Sequence, residues 1–354
     1  MKQPGKRSDK PHAQLLYTLV YLDEPQVILL DHGNDAKIIA VAIERPDMVH
    51  PFFGAEISAA QWERYRREYV DLRYLFLHPR WRKWYFIDLG AADSDGNVPL
   101  KSATSEERQN ESFLPSHGFF ARAHTCAPEE LPTAVLQTKK YSIDGSWEPS
   151  ELSLFFARIY DLYSFFLGMQ KFSSEETTDD QRKILIDAFG RNSLHSGFNY
   201  VHFYGDLKGL LSLDERLSMG AIVKQSPGFV DVRGVGEVLS EVSLSYTNFI
   251  NNYEDLRDSY NILHKYLSSA KLLRRADARY DNNSPIAAHI KQLSEPLCSL
   301  LALEYDVIYR LTGGNHLLVA KILLSHFRRL AHYAIFFDEG RVSFSSTLHV
   351  SDIA

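Results

Sequence analysis

Cysteine is scarce in this sequence: of its 354 residues, only Cys126 and Cys298 carry a thiol. Two thiols cannot form a disulfide framework or a cysteine-rich zinc site, and such low usage is typical of a reducing compartment. The basic opening stretch MKQPGKRSDKPHAQ lacks the apolar core and the cleavage site that a secretory signal requires. We therefore expect a cytoplasmic protein.

Positive charge is also in short supply, because 39 lysines and arginines face 45 aspartates and glutamates, which gives a net charge of −6. Broad nucleic-acid binding normally requires a dominant basic surface, so we expect no such surface. The sequence has no phosphate-binding P-loop, no G-x-G-x-x-G dinucleotide motif and no G-x-S-x-G nucleophile elbow. We therefore expect no cofactor.

The composition that remains is that of a globular protein, with 45% apolar and 24% charged residues. The apolar patterns predict an α+β fold with an N-terminal antiparallel β module, a central mixed α/β segment with two strand–helix units, and a C-terminal bundle of long helices. The predicted divisions are a disordered tail over 1–12, a β-rich module over 13–90, a linker over 91–117, a central domain over 118–233 and a helical bundle over 234–354.

Two parts of this plan rest on particular runs of residues. In the β-rich module, three short β-branched and aromatic runs precede a helical pattern and a final strand, which predicts a twisted antiparallel sheet with one helix packed on it. The segments SGFNYVHFYGDLKGLL from Ser196 and PGFVDVRGVGEVLSEV from Pro227 share a Gly-Phe entry, an apolar run and a helix start. These two segments are the predicted strand–helix units.

The apolar residues from Val235 to Ala270 recur at alternating steps of four and three. This spacing predicts a single helix about 54 Å long with a heptad seam. The seam contains tyrosines that are bulky for a tight two-stranded coil. Two interpretations stay open: the seam packs against the chain's own helices over 286–311 and 315–338, or it forms a homodimer or binds a protein partner.

The segment from Asn315 to Phe337 is apolar enough to raise the question of a membrane span. As a helix it would be about 33 Å long, which is sufficient to cross a bilayer. However, Lys321, Arg328 and Arg329 would each cost about 2.5–3.5 kcal/mol near the bilayer centre. We therefore expect a buried helix and no membrane.

The polar residues of this segment fall on one helical stripe, because their spacing is four, three and four: Lys321, Ser325, Arg328 and His332. With Arg329 beside it, the stripe predicts a site for a phosphate-bearing ligand or an acidic partner segment. Asn315 is expected to cap the helix and to leave amide donors at its start. The alternative is a solvated helix face or a set of ion pairs.

Two Arg–His pairs resemble the pairing that HEPN ribonucleases use to cleave RNA without metal: Arg191 with His195, and Arg328 with His332. Histidine moves protons near neutral pH, while arginine stabilises an anionic transition state. The gap within each pair is shorter than in the ribonuclease motif. Ordinary surface or core roles are therefore the alternative.

Two groups contain metal-ligand residue types: Asp93, Asp95 and Asn97 in one, and His117, His124 and Cys126 in the other. The first lacks the glycine and the glutamate of a calcium loop, and its Asp-Gly step is a good turn. The second lacks an identifiable fourth ligand for tetrahedral zinc. We predict a turn at the first and a metal ion at neither.

The segments YLDEPQVILLDH, ISAAQWERYRREYVDLRYLFLHP and YFIDLG are similar to an N-terminal module of bacterial proteins without an established activity. SGFNYVHFY and SPGFVDVRG are similar to the second half of those proteins. Some of them resemble genes of mobile and antiviral-defence islands. The resemblance implies a setting in phage defence and supplies no catalytic residue.

The leading hypothesis is a cytoplasmic bacterial binding or regulatory protein in antiviral defence that docks a protein partner or an anionic ligand. The residues expected to bind are Lys321, Arg328, Arg329, His332 and Asn315. The alternative is a metal-independent ribonuclease-like or phosphate-processing effector that uses one of the two Arg–His pairs. We expect binding rather than catalysis.

Overall fold

The computed structural model describes residues 11–33, 36–93, 96–104, 106–125, 136–191, 194, 197–225, 227–274 and 282–345. The chain divides into two compact units, Met1–Pro132 and Thr133–Ala354. We call them the barrel unit and the helical unit and describe each by itself. The α+β class is confirmed. The first ten residues of the predicted tail lie outside the described residues.

The barrel unit is a closed, antiparallel, six-stranded barrel in which consecutive strands pair and the last strand returns to the first. Its strands are β1 (His12–Leu22), β2 (Glu24–Gly33), β3 (Ala36–Ala42), β4 (Pro51–Ser58), β5 (Trp84–Asp88) and β6 (Asn97–Ser102). The predicted antiparallel sheet is present, but the prediction lacks β4 (PFFGAEIS) and β6, and β6 closes the sheet into a barrel. The prediction of a linker over 91–117 is also wrong, since β6 closes the barrel within it.

Strands β2, β3 and β4 are buried on both faces over most of their length, which explains why their sequences form continuous apolar runs. On β2, Ile28 and Leu30 belong to the cluster inside the barrel, while Val27 and Leu29 belong to an outer cluster. Two short helices, α1 (Ala59–Arg66) and α2 (Leu72–Leu77), cover that outer face. The helix predicted after the strands is therefore present, in two pieces.

The helical unit contains a four-stranded antiparallel sheet in the order β10-β7-β9-β8. Its strands are β7 (Leu136–Ile143), β8 (Ser218–Val223), β9 (Gly228–Val235) and β10 (Val342–Phe344). The described helices are α3 (Pro149–Ser173), α4 (Asp179–Arg191), α5 (Gly197–Gly209), α6 (Gly236–Asn251), α7 (Tyr253–Ser269), α8 (Pro285–Leu300), α9 (Tyr305–Leu311) and α10 (His316–Asp338). One apolar core joins these helices to the sheet.

One of the two predicted strand–helix units is confirmed and the other is wrong. β9 followed by α6 is the unit that starts at Pro227, whereas the residues GFNYVHFY of the other segment belong to helix α5. In α5, Phe203, Tyr204 and Leu207 are fully buried and keep helical spacing against α3. Aromatic residues favour strands in isolation, but packing on a helical core overrides that preference.

The long helix predicted over 235–270 is interrupted at Asn252, where the backbone leaves the helical conformation. The Asn252 side chain donates a hydrogen bond to the carbonyl oxygen of Asn248, which terminates α6. The seam residues Val242, Phe249 and Leu256 are buried within the chain, and α6 and α7 contact α10. The seam therefore packs inside the helical unit. A homodimer through the outer surface of these helices stays a prediction.

Helix α3 is the one described helix that passes a length and hydropathy test for a membrane span, and 56% of the tested window is buried within the protein. It contacts α5, α6 and α10, so it has the surroundings of a core helix. α10, for which the sequence raised the same question, is buried over most of its length.

Candidate functional site

The centre of the candidate site is a buried carboxylate, Asp161 on α3, whose residue is 4% exposed. Its Oδ2 accepts hydrogen bonds from Arg158 Nη1 at 3.0 Å and from Arg329 Nε at 2.9 Å. Its Oδ1 accepts one from Lys208 Nζ at 2.6 Å. Three cations from α3, α5 and α10 therefore share a single carboxylate.

Arg329 lies deepest among these cations. Its Nη1 donates to Ser325 Oγ at 2.6 Å, one helical turn earlier on α10. Its guanidinium lies 3.5 Å from the centroid of the Tyr204 ring, a cation–π contact. Hydrogen bonds, ring and carboxylate together hold the charge in a fixed orientation.

Arg328, the next cation on α10, is half-buried and forms a salt bridge with no aspartate or glutamate in the described part of the chain. Its Nη1 donates to the Tyr260 hydroxyl at 3.3 Å, and its guanidinium lies 5.1 Å from the Tyr200 ring centroid. Burial acts to lower the pKa of Arg328, but the hydroxyls of Tyr260 and Tyr200 offset it, and the net pKa is raised. Arg328 therefore carries a full positive charge held by neutral groups.

His332 lies at the solvent edge of the same group, one turn after Arg328 on α10. Its pKa is lowered, first by burial and then by the positive charges of Arg158, Arg329 and Arg328. Three arginines therefore act on one imidazole, which favours its neutral form near pH 7.

We call this group the Asp161 cluster, and its members are Arg158, Asp161, Lys208, Arg328, Arg329 and His332. With His332 neutral, it contains four cations and one carboxylate. Removing charge from water is costly unless opposite charge compensates it. The cluster therefore has a surplus of positive charge in a place where an anion would be stabilised.

Three of the five residues predicted to bind, Arg328, Arg329 and His332, belong to this cluster. Lys321 does not, because it is fully buried and lies more than two turns away on α10. Asn315 caps α10, as predicted, by accepting a hydrogen bond from the Leu318 amide at 3.0 Å, but about 20 Å of helix separate it from Arg328. The predicted stripe therefore does not bring Lys321 to the same surroundings as Arg328 and His332.

The other Arg–His pair is not brought into this cluster by any described contact. Arg191 is exposed at the end of α4, and His195 lies outside the described residues. His202, which follows on α5, is exposed as well. Arg328 and His332 are thus the pair that the structure places beside other charged groups.

The metal candidates occupy ordinary structural positions. Asp93 accepts hydrogen bonds from the backbone and side chain of Asn97, as in a turn. His124 Nε2 lies 2.8 Å from the Tyr65 hydroxyl, whereas Asp95 and Cys126 fall outside the described residues. Within the described part of the chain, no group of three or more His, Cys, Asp or Glu side chains could hold a metal ion.

The sequence analysis missed Asp161, Arg158 and Lys208. A signal for two of them was present, because the run SLFFARIYDLYSFFLGM has Arg158 and Asp161 as its two charged residues, three positions apart. Residues at this spacing share one face of a helix. Charge inside an apolar helix normally requires a partner, so this pair could have been set beside the cations of α10.

Comparison with protein-family models, with curated proteins and with solved structures finds no match to this chain. The resemblance to bacterial proteins of defence islands stays a prediction, and the chemistry of the Asp161 cluster carries the functional argument.

Proposed function

We propose that the protein is a binding protein that holds a phosphate-bearing ligand at the Asp161 cluster. The observation that carries the proposal is the surplus of cations, four against one carboxylate, at a partly buried position. Phosphate oxygens are strong acceptors for arginine and lysine, and the bonds are charge-assisted. An anion with two or more negative charges would neutralise most of the surplus.

Members of the cluster differ in exposure, and this difference assigns their roles. Arg329 is almost fully buried and orients Asp161 and Tyr204, so it serves as the anchor. The side chains of Arg158 and Lys208 are 22% and 27% exposed, and His332 is exposed. These outer groups, with Arg328, are the ones that ligand oxygens would reach.

The proposed biological role is regulatory docking in the cytoplasm of a bacterium, in the antiviral setting that the family resemblance implies. A partner protein with a phosphorylated or acidic segment would use the same cations. Binding of the anion or of the partner segment would then be the regulatory signal.

Titration of the purified protein with pyrophosphate at constant ionic strength, followed by calorimetry, tests the proposal. We expect Arg328→Gln to weaken pyrophosphate binding by about tenfold or more, because a charge-assisted contact is lost. Arg233→Gln, which removes an exposed arginine on β9, is the matched control and should leave the affinity unchanged. No binding by the wild type, or equal losses in the two variants, would contradict the proposal.

A metal-independent ribonuclease is the second candidate, and the depressed pKa of His332 beside three arginines favours it. A neutral imidazole can accept a proton from a ribose hydroxyl, and arginine can stabilise the anionic phosphorane. Incubation with single-stranded RNA in the presence of a chelator separates the candidates. The enzyme would cleave RNA and lose cleavage in His332→Ala, while a binding protein leaves the RNA intact in every variant.

A further inference from the structure

A concave site lies elsewhere in the helical unit, apart from the Asp161 cluster. The C-terminal half of α3, the middle of α6 and the turn between α8 and α9 surround a cavity of about 760 Å³. Small-molecule sites have volumes of roughly 300–1,000 Å³. Phe166, Met169 and Leu303 supply apolar wall, and none of the lining residues belongs to the Asp161 cluster.

One polar group of the cavity wall lacks a partner. Ser245 on α6 is 6% exposed, and its Oγ has no hydrogen-bond partner in the described structure. On the same helix, Ser240, Ser243 and Thr247 each donate to the carbonyl oxygen four residues earlier. An unpaired buried hydroxyl costs free energy, so a molecule that pairs with Ser245 gains that energy on binding.

The charge on the cavity wall has one sign. Glu241 and Glu304 line it, and none of the lining residues is lysine or arginine. The pKa of Glu241 is raised, first by burial and then by the charge of Glu237. Glu237 itself accepts a hydrogen bond from Gln170 at 2.6 Å, which fixes a further negative charge nearby. The opening is therefore complementary to a cation.

We propose that this cavity binds a small organic cation, a protonated amine carried on an aliphatic or aromatic body. The ammonium group would lie at Glu241, and rotation of the Ser245 side chain into the cavity would let its Oγ accept a hydrogen bond from that group. The apolar body would pack against Phe166, Met169 and Leu303. This ligand has the opposite charge to the anion proposed for the Asp161 cluster, so the two sites are distinct in chemistry as well as in position.

The four methionines of the chain offer a direct test. With ¹³C-labelled methionine methyl groups, 2-phenylethylamine is titrated into the full-length protein, and the methyl resonances are followed by NMR. Of the methionines at described positions, Met169 lines the cavity, while Met48 and Met219 lie elsewhere. We expect the Met169 signal to shift in a saturable manner while the other two stay fixed.

Two comparisons decide the charge assignment. The alcohol 2-phenylethanol and the acid 3-phenylpropionate keep the aromatic body but lose the positive charge, and both should bind more weakly than the amine. Glu241→Gln should weaken amine binding by about tenfold without changing the affinity for the alcohol. Ser243→Ala, whose hydroxyl already bonds within the helix, is the control and should behave as wild type.

The proposal is overturned if the Met169 signal does not move, or if the alcohol or the acid binds as tightly as the amine. It is also overturned if Glu241→Gln and Ser243→Ala change the affinity equally. The unshifted Met48 and Met219 signals verify that each variant is folded.

Discussion

The two units treat a buried carboxylate in different ways. In the barrel unit, Glu56 accepts a hydrogen bond from the Tyr85 hydroxyl at 3.1 Å and lies 3.5 Å from Lys83, whose side chain is 51% exposed. In the helical unit, Asp161 bonds three cations, and Arg328 lies in the same cluster. The barrel unit therefore balances its charge locally, while the helical unit keeps a positive surplus. This positive surplus makes the helical unit the better candidate of the two for binding an anion.

Two histidines, one half-buried and one fully buried, show the same contrast. In the barrel unit, His124 is hydrogen-bonded to Tyr65, and burial lowers its pKa to about 4. In the helical unit, His326 is fully buried between the rings of Phe165 and Phe166, and neither ring nitrogen has a hydrogen-bond partner. Burial and then Arg329 lower its pKa to about 3. Of these two histidines, the one in the helical unit is the one whose ring nitrogens have no hydrogen-bond partner in the described structure.

The largest effect should follow from removal of the Asp161 charge. Asp161→Asn leaves Arg158, Lys208 and Arg329 without their shared carboxylate, and breaking a buried pair in this way costs about 3–5 kcal/mol. Urea denaturation of the full-length protein, monitored by tryptophan fluorescence and circular dichroism, measures the free energy of unfolding.

Glu56→Gln is the matched change in the barrel unit. The amide oxygen still accepts from Tyr85, so we expect a loss of about 1–2 kcal/mol. Hydrogen exchange assigns each loss to its unit, through the amides of α3 and α10 or through those of β4. Equal losses in the two variants would remove the distinction between the units.

The second effect is a loss of folding stability at acid pH. Because the pKa of His326 is lower in the folded chain than its usual value of 6.5, the unfolded state binds more protons as the pH falls below 6.5. Stability is therefore fully present above pH 6.5 and is lost towards pH 3, by at most about 1.4 kcal/mol per pH unit. Arg329 is the charged group that acts on this ring, and it disfavours protonation further.

His326→Leu removes this linkage with a side chain of similar volume. We expect the variant to lose less stability than wild type between pH 6.5 and pH 4, as measured by urea midpoints at each pH. His202→Ala, at an exposed position on α5, is the control. If the variant kept the wild-type pH profile, the pKa of His326 would not be lowered in the folded protein, and the prediction would be wrong.

A smaller effect is expected in the barrel unit when Tyr65 loses its hydroxyl. Tyr65→Phe removes the hydrogen bond to His124 Nε2 and leaves that nitrogen without its partner, which costs about 1–2 kcal/mol. The midpoint of urea unfolding should fall accordingly. Tyr69→Phe, at an exposed tyrosine of the same unit, should leave the midpoint unchanged.

The sequence predicted individual strands and helices better than it predicted the closure of the strands into a barrel. Buried apolar runs identified β1, β2 and β3, but PFFGAEIS contains Gly54 and Glu56 and lacks a simple strand pattern. In the barrel, a Cβ on Gly54 would come within 2.7 Å of the Ile38 side chain, so glycine is required by close packing. Such a requirement depends on strands far apart in sequence and is invisible in a local pattern.

The candidate site shows the same limit. Helical spacing identified the charged and titratable residues of α10, and three of them, Arg328, Arg329 and His332, belong to the cluster. Spacing could not identify which turn was buried, so Lys321 was assigned to the same stripe as Arg328. It also could not bring Asp161 of α3 and Lys208 of α5 to α10, because contacts between helices depend on tertiary packing.

The smallest change in stability is expected at His332, and it separates binding from structure. The side chain is exposed, so His332→Ala should alter the free energy of unfolding by no more than about 0.5 kcal/mol.

The effect of His332→Ala on anion affinity should depend on pH. The pKa of His332 is lowered by burial and by the neighbouring arginines, and a bound anion would raise it again by favouring the protonated ring. Wild-type affinity for sulfate, whose charge is constant between pH 8 and pH 5, should therefore increase as the pH falls, and in His332→Ala it should stay flat. Calorimetric titrations at several pH values measure this difference, and parallel profiles would show that His332 does not contact the anion.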